Sequence, residues 1–286
     1  MNETIKIQHS HHSTRSYKPD PVSDDMLNAI IEAAHRAPSS MNAQEISVVV
    51  VRDKERKARI AELAGGQAWI AQAPVFITLV IDFNKTDIGV RKAGQTQVIH
   101  ESMEGMLVAG IDAGIALGNM MVAARSLGFG IVPIGSIRRN PQGMIDLLGL
   151  PPLTFPLVGL CIGHIKDDAP LITSDLAGVV CQLSRMAITN DLAVVVGQPS
   201  QMASSFTSSS IKPRMDIKTF RHDERYDASD YAAAIDAYDT AIMEYWQQLG
   251  RNDGITWSNN LGNSLKQVYF PQVKPVAAMQ GLLNDK

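Results

Sequence analysis

Residues Met106 to Ala124 form an almost unbroken apolar stretch near the length of a membrane span, and its placement decides much of the fold. Asp112 and Asn119 interrupt it. A charge at bilayer depth is costly, so a membrane span is not expected. The stretch reads instead as the middle of a helix over Glu101 to Leu127, ended by Gly128-Phe129-Gly130. Gly110, Gly114 and Gly118 recur at every fourth position and therefore share one face. Each interior glycine costs about 1 kcal/mol relative to alanine. That cost makes sense where another helix backbone must come close. Two placements satisfy it: a buried core helix, or a central helix between subunits.

The flanking segments supply layers for such a helix. Ser23-Asp24-Asp25 opens a helix with acidic residues in its first turn; Met26, Leu27, Ile30, Ile31 and Ala34 follow at helical spacing until Pro38. Ile46 to Val51 is a β-branched run expected as a buried strand. A charged helix over Asp53 to Leu63 precedes a second strand over Ala73 to Asp82. Gly130 to Ile134 reads as a short strand, Pro141 to Leu148 as a helix, Phe155 to Gly163 as a long strand, and Tyr231 to Gly250 as a helix. Strands separated by helices give a layered α/β or α+β domain.

A chain of 286 residues with 45% apolar and 19% charged residues has enough length and apolar surface for a sizeable core. Its net charge of −3 carries no electrostatic footprint for nucleic acid. Cys161 and Cys181 are the only cysteines, which supports no disulfide framework and suits a reducing cytoplasm; both read as small buried hydrophobes. Met1 to Arg15 is polar and His-rich, without the apolar core of a signal peptide.

Polar clusters border the regular segments. They are His11-His12-Ser13-Thr14-Arg15, Pro38-Ser39-Ser40-Met41-Asn42-Ala43-Gln44, Gly65-Gly66-Gln67, Ile134-Gly135-Ser136 and Lys212-Pro213-Arg214. Together they offer fixed cations, hydroxyls, amides and glycine-rich backbone, an inventory suited to a planar polar heterocycle carrying a phosphate. Arg15 and Arg214 can grip phosphate oxygens bidentately, and Lys212 adds a point charge. Alone, Arg15 would read as a solvated charge, and Ser39 and Ser40 as ordinary turn chemistry. His11 and His12 lack further ligands at metal spacing, so no metal is expected. No GxGxxG follows a strand, and no Ser/His/Asp or GxSxG arrangement is present.

In order and spacing these clusters resemble the nitroreductase superfamily, in the branch of oxygen-insensitive NAD(P)H nitroreductases and flavin reductases that bind FMN. The resemblance covers about residues 3 to 170 and resumes from about 211 to 270. It implies an α+β nitroreductase-like fold, a central mixed β-sheet flanked by helices, in an intertwined homodimer with FMN between subunits. It implies non-covalent FMN, with NAD(P)H as co-substrate in a ping-pong sequence and no catalytic side chain beyond the flavin. By the same resemblance His11, Ser13 and Arg15 contact the phosphate and ribityl chain. Ser39, Ser40 and Gln67 lie near the ring and ribityl hydroxyls, Ile134, Gly135 and Ser136 offer backbone to the flavin edge, and Lys212 and Arg214 make a second phosphate and ring-edge contact. His12 stands where arginine is common, and Pro133 where an aromatic residue is common. Thr256-Trp257-Ser258 matches a motif preceded by NADPH-selecting arginines; this chain offers Arg251 and, upstream, Arg225, with Leu249 at the expected arginine position.

A single domain over 1–286 is expected, carrying an atypical insertion over 171–211 that forms either a lid or a surface excursion. Small-molecule acceptors such as nitroaromatics, quinones or flavins fit the family, with no nucleic-acid or membrane partner. Two alternatives stay open: a flavin reductase feeding reduced FMN to a partner monooxygenase, and a non-catalytic flavin-binding protein.

Overall fold

The computed structural model describes residues 1–166, 213–219, 229–265, 268 and 270–283. The 171–211 segment, Lys212, Arg225 and Cys181 lie outside the described residues. By internal contacts the chain divides into two compact units, Met1–Ile172 with Phe270–Lys286, and Thr173–Tyr269.

The first unit is built on a four-stranded sheet of β1 (Ile46–Val51), β2 (Val75–Asp82), β3 (Gly130–Ile134) and β4 (Thr154–Gly163), in the order β1-β2-β4-β3. Every pairing among these strands is antiparallel, where a mixed sheet was expected. The expected strands all form, and β2 is buried along almost its whole length, as its unbroken apolar run requires. Pro133 is tolerated because β3 is the edge strand of this set. Pro156 coincides with a register shift: Leu79 faces Val158, Val80 faces Pro156, and Leu157 is the extra residue. The Leu157 carbonyl accepts from the Arg138 guanidinium, so the bulge leaves no orphaned acceptor there.

Helices α1 (Glu3–His9), α2 (Asp24–His35), α3 (Lys54–Leu63), α4 (Ala68–Gln72), α5 (Phe83–Lys92), α6 (Met103–Ser126) and α7 (Pro141–Leu148) surround the sheet. Side-chain caps, each accepting from the backbone N–H three residues on, set the starts of α2, α3, α5, α6 and α7: Ser23, Asp53, Asp82, Ser102 and Asn140. Leu27 and Ile30 of α2 pack with Ala116, Met120 and Ala124 of α6 over Ile77, Leu79, Leu160 and Ile162 of the sheet. The segment Val273–Met279, α10, closes a second cluster with Ile81, Phe83 and Phe155.

Helix α6 has two faces. Ala109, Ala113, Ala116, Met120 and Ala124 are buried, and Asn119 donates to the Ala33 carbonyl of α2 at 3.1 Å. On the other side Met103, Leu107, Ile111 and Ile115, four residues apart, are exposed. A Cβ added at Gly110, Gly114 or Gly118 would meet nothing within 4 Å among the described residues. The glycine stripe therefore does not serve a helix contact inside the described chain.

The second unit contains α8 (Tyr231–Gln248) and α9 (Trp257–Leu265). Tyr238, Ile242, Tyr245 and Trp246 form its core with Met215, Leu249 and Trp257.

Candidate functional site

The N-terminal polar cluster leaves α1 and runs along the sheet edge. Thr14 donates its N–H to the Ile131 carbonyl of β3 at 2.9 Å, and Lys18 donates to the His164 carbonyl at 2.9 Å. Tyr17 forms an isolated bridge with Ile165, while its buried hydroxyl donates to the Thr14 carbonyl at 2.6 Å. Gly130 makes this seat possible: a Cβ there would fall 2.6 Å from the Thr14 side chain. The preceding turn is clamped by Arg125 of α6, whose guanidinium donates to the Ser10 carbonyl at 3.1 Å and to its hydroxyl at 3.0 Å. The His12 ring nitrogen Nδ1 stands 3.2 Å from the Ser10 carbonyl. His11 and Ser13 lie partly buried in the same turn.

Arg15 projects from this strip over the indole of Trp69, with its guanidinium carbon 5.6 Å from the ring centroid. Burial lowers its pKa, opposed by Tyr17 and then Cys161. A desolvated guanidinium gains more from an anion than a solvated one does. Trp69 belongs to α4, and Gln67 stands at the position just before its first turn. The Gln67 amide donates to the Ser136 hydroxyl at 2.6 Å. Before it, Gly65 and Gly66 take φ of +89° and +81°, values that L side chains adopt only with strain. Ile134 is buried at the end of β3, and Gly135 to Arg139 continue as a short 3-10 turn. Arg15, Gln67 and the 134–136 turn are thus joined through one short helix.

Ser39 and Ser40 make their contacts elsewhere in the unit. Ser40 donates its N–H to Asp112 Oδ2 of α6 at 2.8 Å, and the Ser39 hydroxyl accepts from the Gln44 N–H at 3.2 Å. Ser39, Gln44 and Asp112 line a cavity of about 300 Å³ with Ile31, Lys85 and Ala116.

In the second unit Arg214 is exposed. The Tyr238 hydroxyl donates to the Pro213 carbonyl at 3.0 Å, which fixes this stretch on α8. Burial raises the Tyr238 pKa, with Arg214 pulling it down. Arg251 pairs with Asp253 at 2.6 Å and lies 4.8 Å over the Trp246 ring; its charge is already compensated locally. Thr256 caps α9 through Asn259, Ser258 donates its N–H to Asp239 at 2.8 Å, and Trp257 packs on Tyr238.

Sequence reasoning missed Trp69, Arg125 and Asp112 as organising residues. Asp112 carried a signal, a lone carboxylate in an apolar helix. Trp69 and Arg125 carried none, because their roles depend on long-range packing. Lys57 is similar: buried on α3, it donates to the Ala73 carbonyl at 2.5 Å and the Pro74 carbonyl at 3.2 Å, anchoring the start of β2.

The donor set fits FMN. A desolvated cation beside an aromatic ring suits a phosphate, paired amide and hydroxyl groups suit a polyol or ring edge, and glycine-rich turns admit close approach of a planar group.

Residues 9–164 match the model of the nitroreductase family, and residues 212–285 match its C-terminal domain. The chain is 37% identical over 289 residues to the FMN reductase [NAD(P)H] of Bacillus subtilis (strain 168), covering 100% of both chains. Among solved structures it is similar to NfrA2 of B. megaterium, at TM-score 0.83 and 34% identity with 100% of both chains covered. It is also similar to the NADPH:FMN oxidoreductase from Vibrio harveyi complexed with NAD+, at TM-score 0.76 and 26% identity with 99% of each chain covered.

Proposed function

The chain belongs to the nitroreductase family, and from that premise we propose that it is an NAD(P)H-dependent FMN oxidoreductase that reduces small-molecule acceptors. One observation carries the assignment to this chain's own residues: Arg15, Gln67 and Ser136 are drawn together through Trp69 and α4.

When bound, FMN supplies the hydride-accepting and electron-donating chemistry, and the protein binds, orients and shields it. Arg15 offers its guanidinium to the phosphate, with His11, His12, Ser13 and Thr14 supplying the surrounding turn. Gln67 and Ser136 hydrogen-bond the ribityl and ring-edge region. Ile134 and Gly135 contribute backbone, and glycine leaves room for a planar ring. Lys212 and Arg214 are further candidate cations in this reading, and Arg225 and Arg251 are the candidates for NADPH selection. NAD(P)H and acceptor use one face in turn, so the nicotinamide leaves before the acceptor enters.

The working unit in this reading is a homodimer in the cytoplasm, where NAD(P)H is at hand. Its support is the exposed apolar face of α6, with Leu107, Ile111 and Ile115 beside a glycine stripe that no described segment fills. Ser40, bound to α6, and Ser39, bonded within the same loop to Gln44, then serve the flavin of the partner subunit. Chains named for reduction of FMN itself also support a second reading, in which reduced FMN is released as product.

Purified protein should carry the visible flavin absorbance band. Anaerobic NADPH or NADH should bleach it, and a quinone or nitroaromatic should restore it. A colourless protein that neither binds added FMN nor oxidises NAD(P)H in its presence would sink the proposal.

A further inference from the structure

The loop 39–44 is held in an unfavourable shape. Met41, Asn42 and Gln44 have φ of 52°, 56° and 55°, and such left-handed conformations cost about 1 kcal/mol or more for non-glycine residues. Met41 is 95% exposed, so packing does not retain the tip. The tie to the core helix is the hydrogen bond from the Ser40 N–H to Asp112 Oδ2.

Asp112 is itself buried, at 6% exposure, and Glu45 at the end of the loop is more deeply buried, at 2%. The two side chains are in hydrogen-bond contact. Glu45 Oε2 has no hydrogen-bond partner among the described residues. Beside another buried carboxyl group, an ionised Glu45 would be repelled and poorly solvated, so its acid form is favoured. The surrounding charges do not cancel a second negative charge. Lys85 of α5, whose Nζ donates to the Ile46 carbonyl at 3.0 Å, favours the ionised form of Glu45, but burial outweighs it. Asp82 donates its N–H to the Glu45 carbonyl at 2.7 Å, while its carboxylate accepts from Ser47 at 2.5 Å. Glu32 and His35 of α2 line the adjoining cavity with Asp112.

We propose that Glu45 and Asp112 are positioning residues: with Glu45 in its acid form hydrogen-bonded to Asp112, they hold the 39–44 loop in its flavin-binding shape. The O–H of Glu45 donates to Asp112, which leaves Asp112 Oδ2 fixed toward the Ser40 N–H. Burial, followed by the Asp112 side chain, raises the Glu45 pKa, with Glu45's own backbone and Lys85 opposing. Because the folded value lies above the ordinary carboxylate value, the pair's contribution is complete at low pH. It is lost as pH rises through the raised value. Ionised Glu45 then pushes Asp112 away and frees Ser40.

The part of this inference that concerns flavin rests on Ser39 and Ser40 contacting FMN. The test therefore reads the loop and the flavin separately, in the full-length protein with and without FMN. Amide hydrogen exchange gives the protection factor of the Ser40 N–H between about pH 5 and pH 9, a window set by the carboxylate range and its upward shifts on burial. In the parent, protection should fall by about tenfold across the window, the loss of one such bond. In Glu45→Gln, whose amide donates at every pH, it should stay at the parent's low-pH level. In Asp112→Leu it should be low throughout. Flat protection in the parent, or the same pH profile in parent and Glu45→Gln, would overturn the proposal. FMN affinity, read by quenching of flavin fluorescence, should follow the protection factor. If protection behaves as expected while affinity does not follow, the pair positions the loop, and it is the flavin contact of Ser39 and Ser40 that fails.

Discussion

Arg15 shows how one charged side chain can be made into a binding group by what surrounds it. Its guanidinium lies over Trp69 in a partly desolvated place, so a phosphate there meets a cation with little competing water. Replacing Arg15 by Ala removes that charge without disturbing the Thr14 N–H bond to β3. FMN affinity should fall about ten- to a hundredfold, or roughly 1.5–3 kcal/mol, the range for a charge-assisted hydrogen bond. Fluorescence-quench titration of the variant measures it directly, and parent-like affinity would remove Arg15 from the site. At this scale the sequence was legible only in part. Arg15, Gln67 and Ser136 stood out because polar clusters interrupt apolar runs. Trp69, which joins them, looks like any other buried aromatic until the fold brings Arg15 onto its face.

At the scale of elements, periodicity located β1, β3 and α7 to the residue. It could do so because each is bounded by strong local chemistry: β-branched runs for the strands, and Asn140-Pro141 with Gly149 for the helix. Helix α1 escaped because its two turns carry too few apolar positions to show a period, and α5 because its sequence, Phe-Asn-Lys-Thr-Asp-Ile-Gly-Val-Arg-Lys, is mostly polar. Strand direction was not readable at all; the sheet is antiparallel throughout its described pairings because of long-range pairing, which no local pattern encodes. The glycine stripe of α6 was legible as a site of close approach, but its occupant was not. Gly114 makes the two uses separable. Among the described residues a side chain at Gly114 meets open space, and Gly→Leu in a helix gains close to 1 kcal/mol of intrinsic propensity. Gly114→Leu should therefore keep or slightly raise the thermal stability of the subunit while abolishing self-association, read by light scattering. A variant that remains dimeric would show that this face is not the subunit contact.

At the scale of the whole molecule, the site proposed here is divided between copies of the chain. Arg15, Gln67 and Ser136 gather on one set of elements, and Ser40 is fastened to α6 beside its exposed apolar face. A ligand held by both copies binds the dimer better than the monomer, and mass action then couples the two equilibria. Added FMN should tighten the dimer, and dilution should release flavin as the dimer separates. The prediction is quantitative in form: over a dilution series, the loss of dimer by light scattering and the gain of free-flavin fluorescence share one midpoint. Raising FMN from sub-saturating to about a hundredfold above its dissociation constant should stabilise the loaded state by about 2.7 kcal/mol per site, and shift that midpoint to lower protein concentration. A flavin-loaded monomer in the same series would confine the whole site to one chain. It would also leave the α6 face without its proposed use.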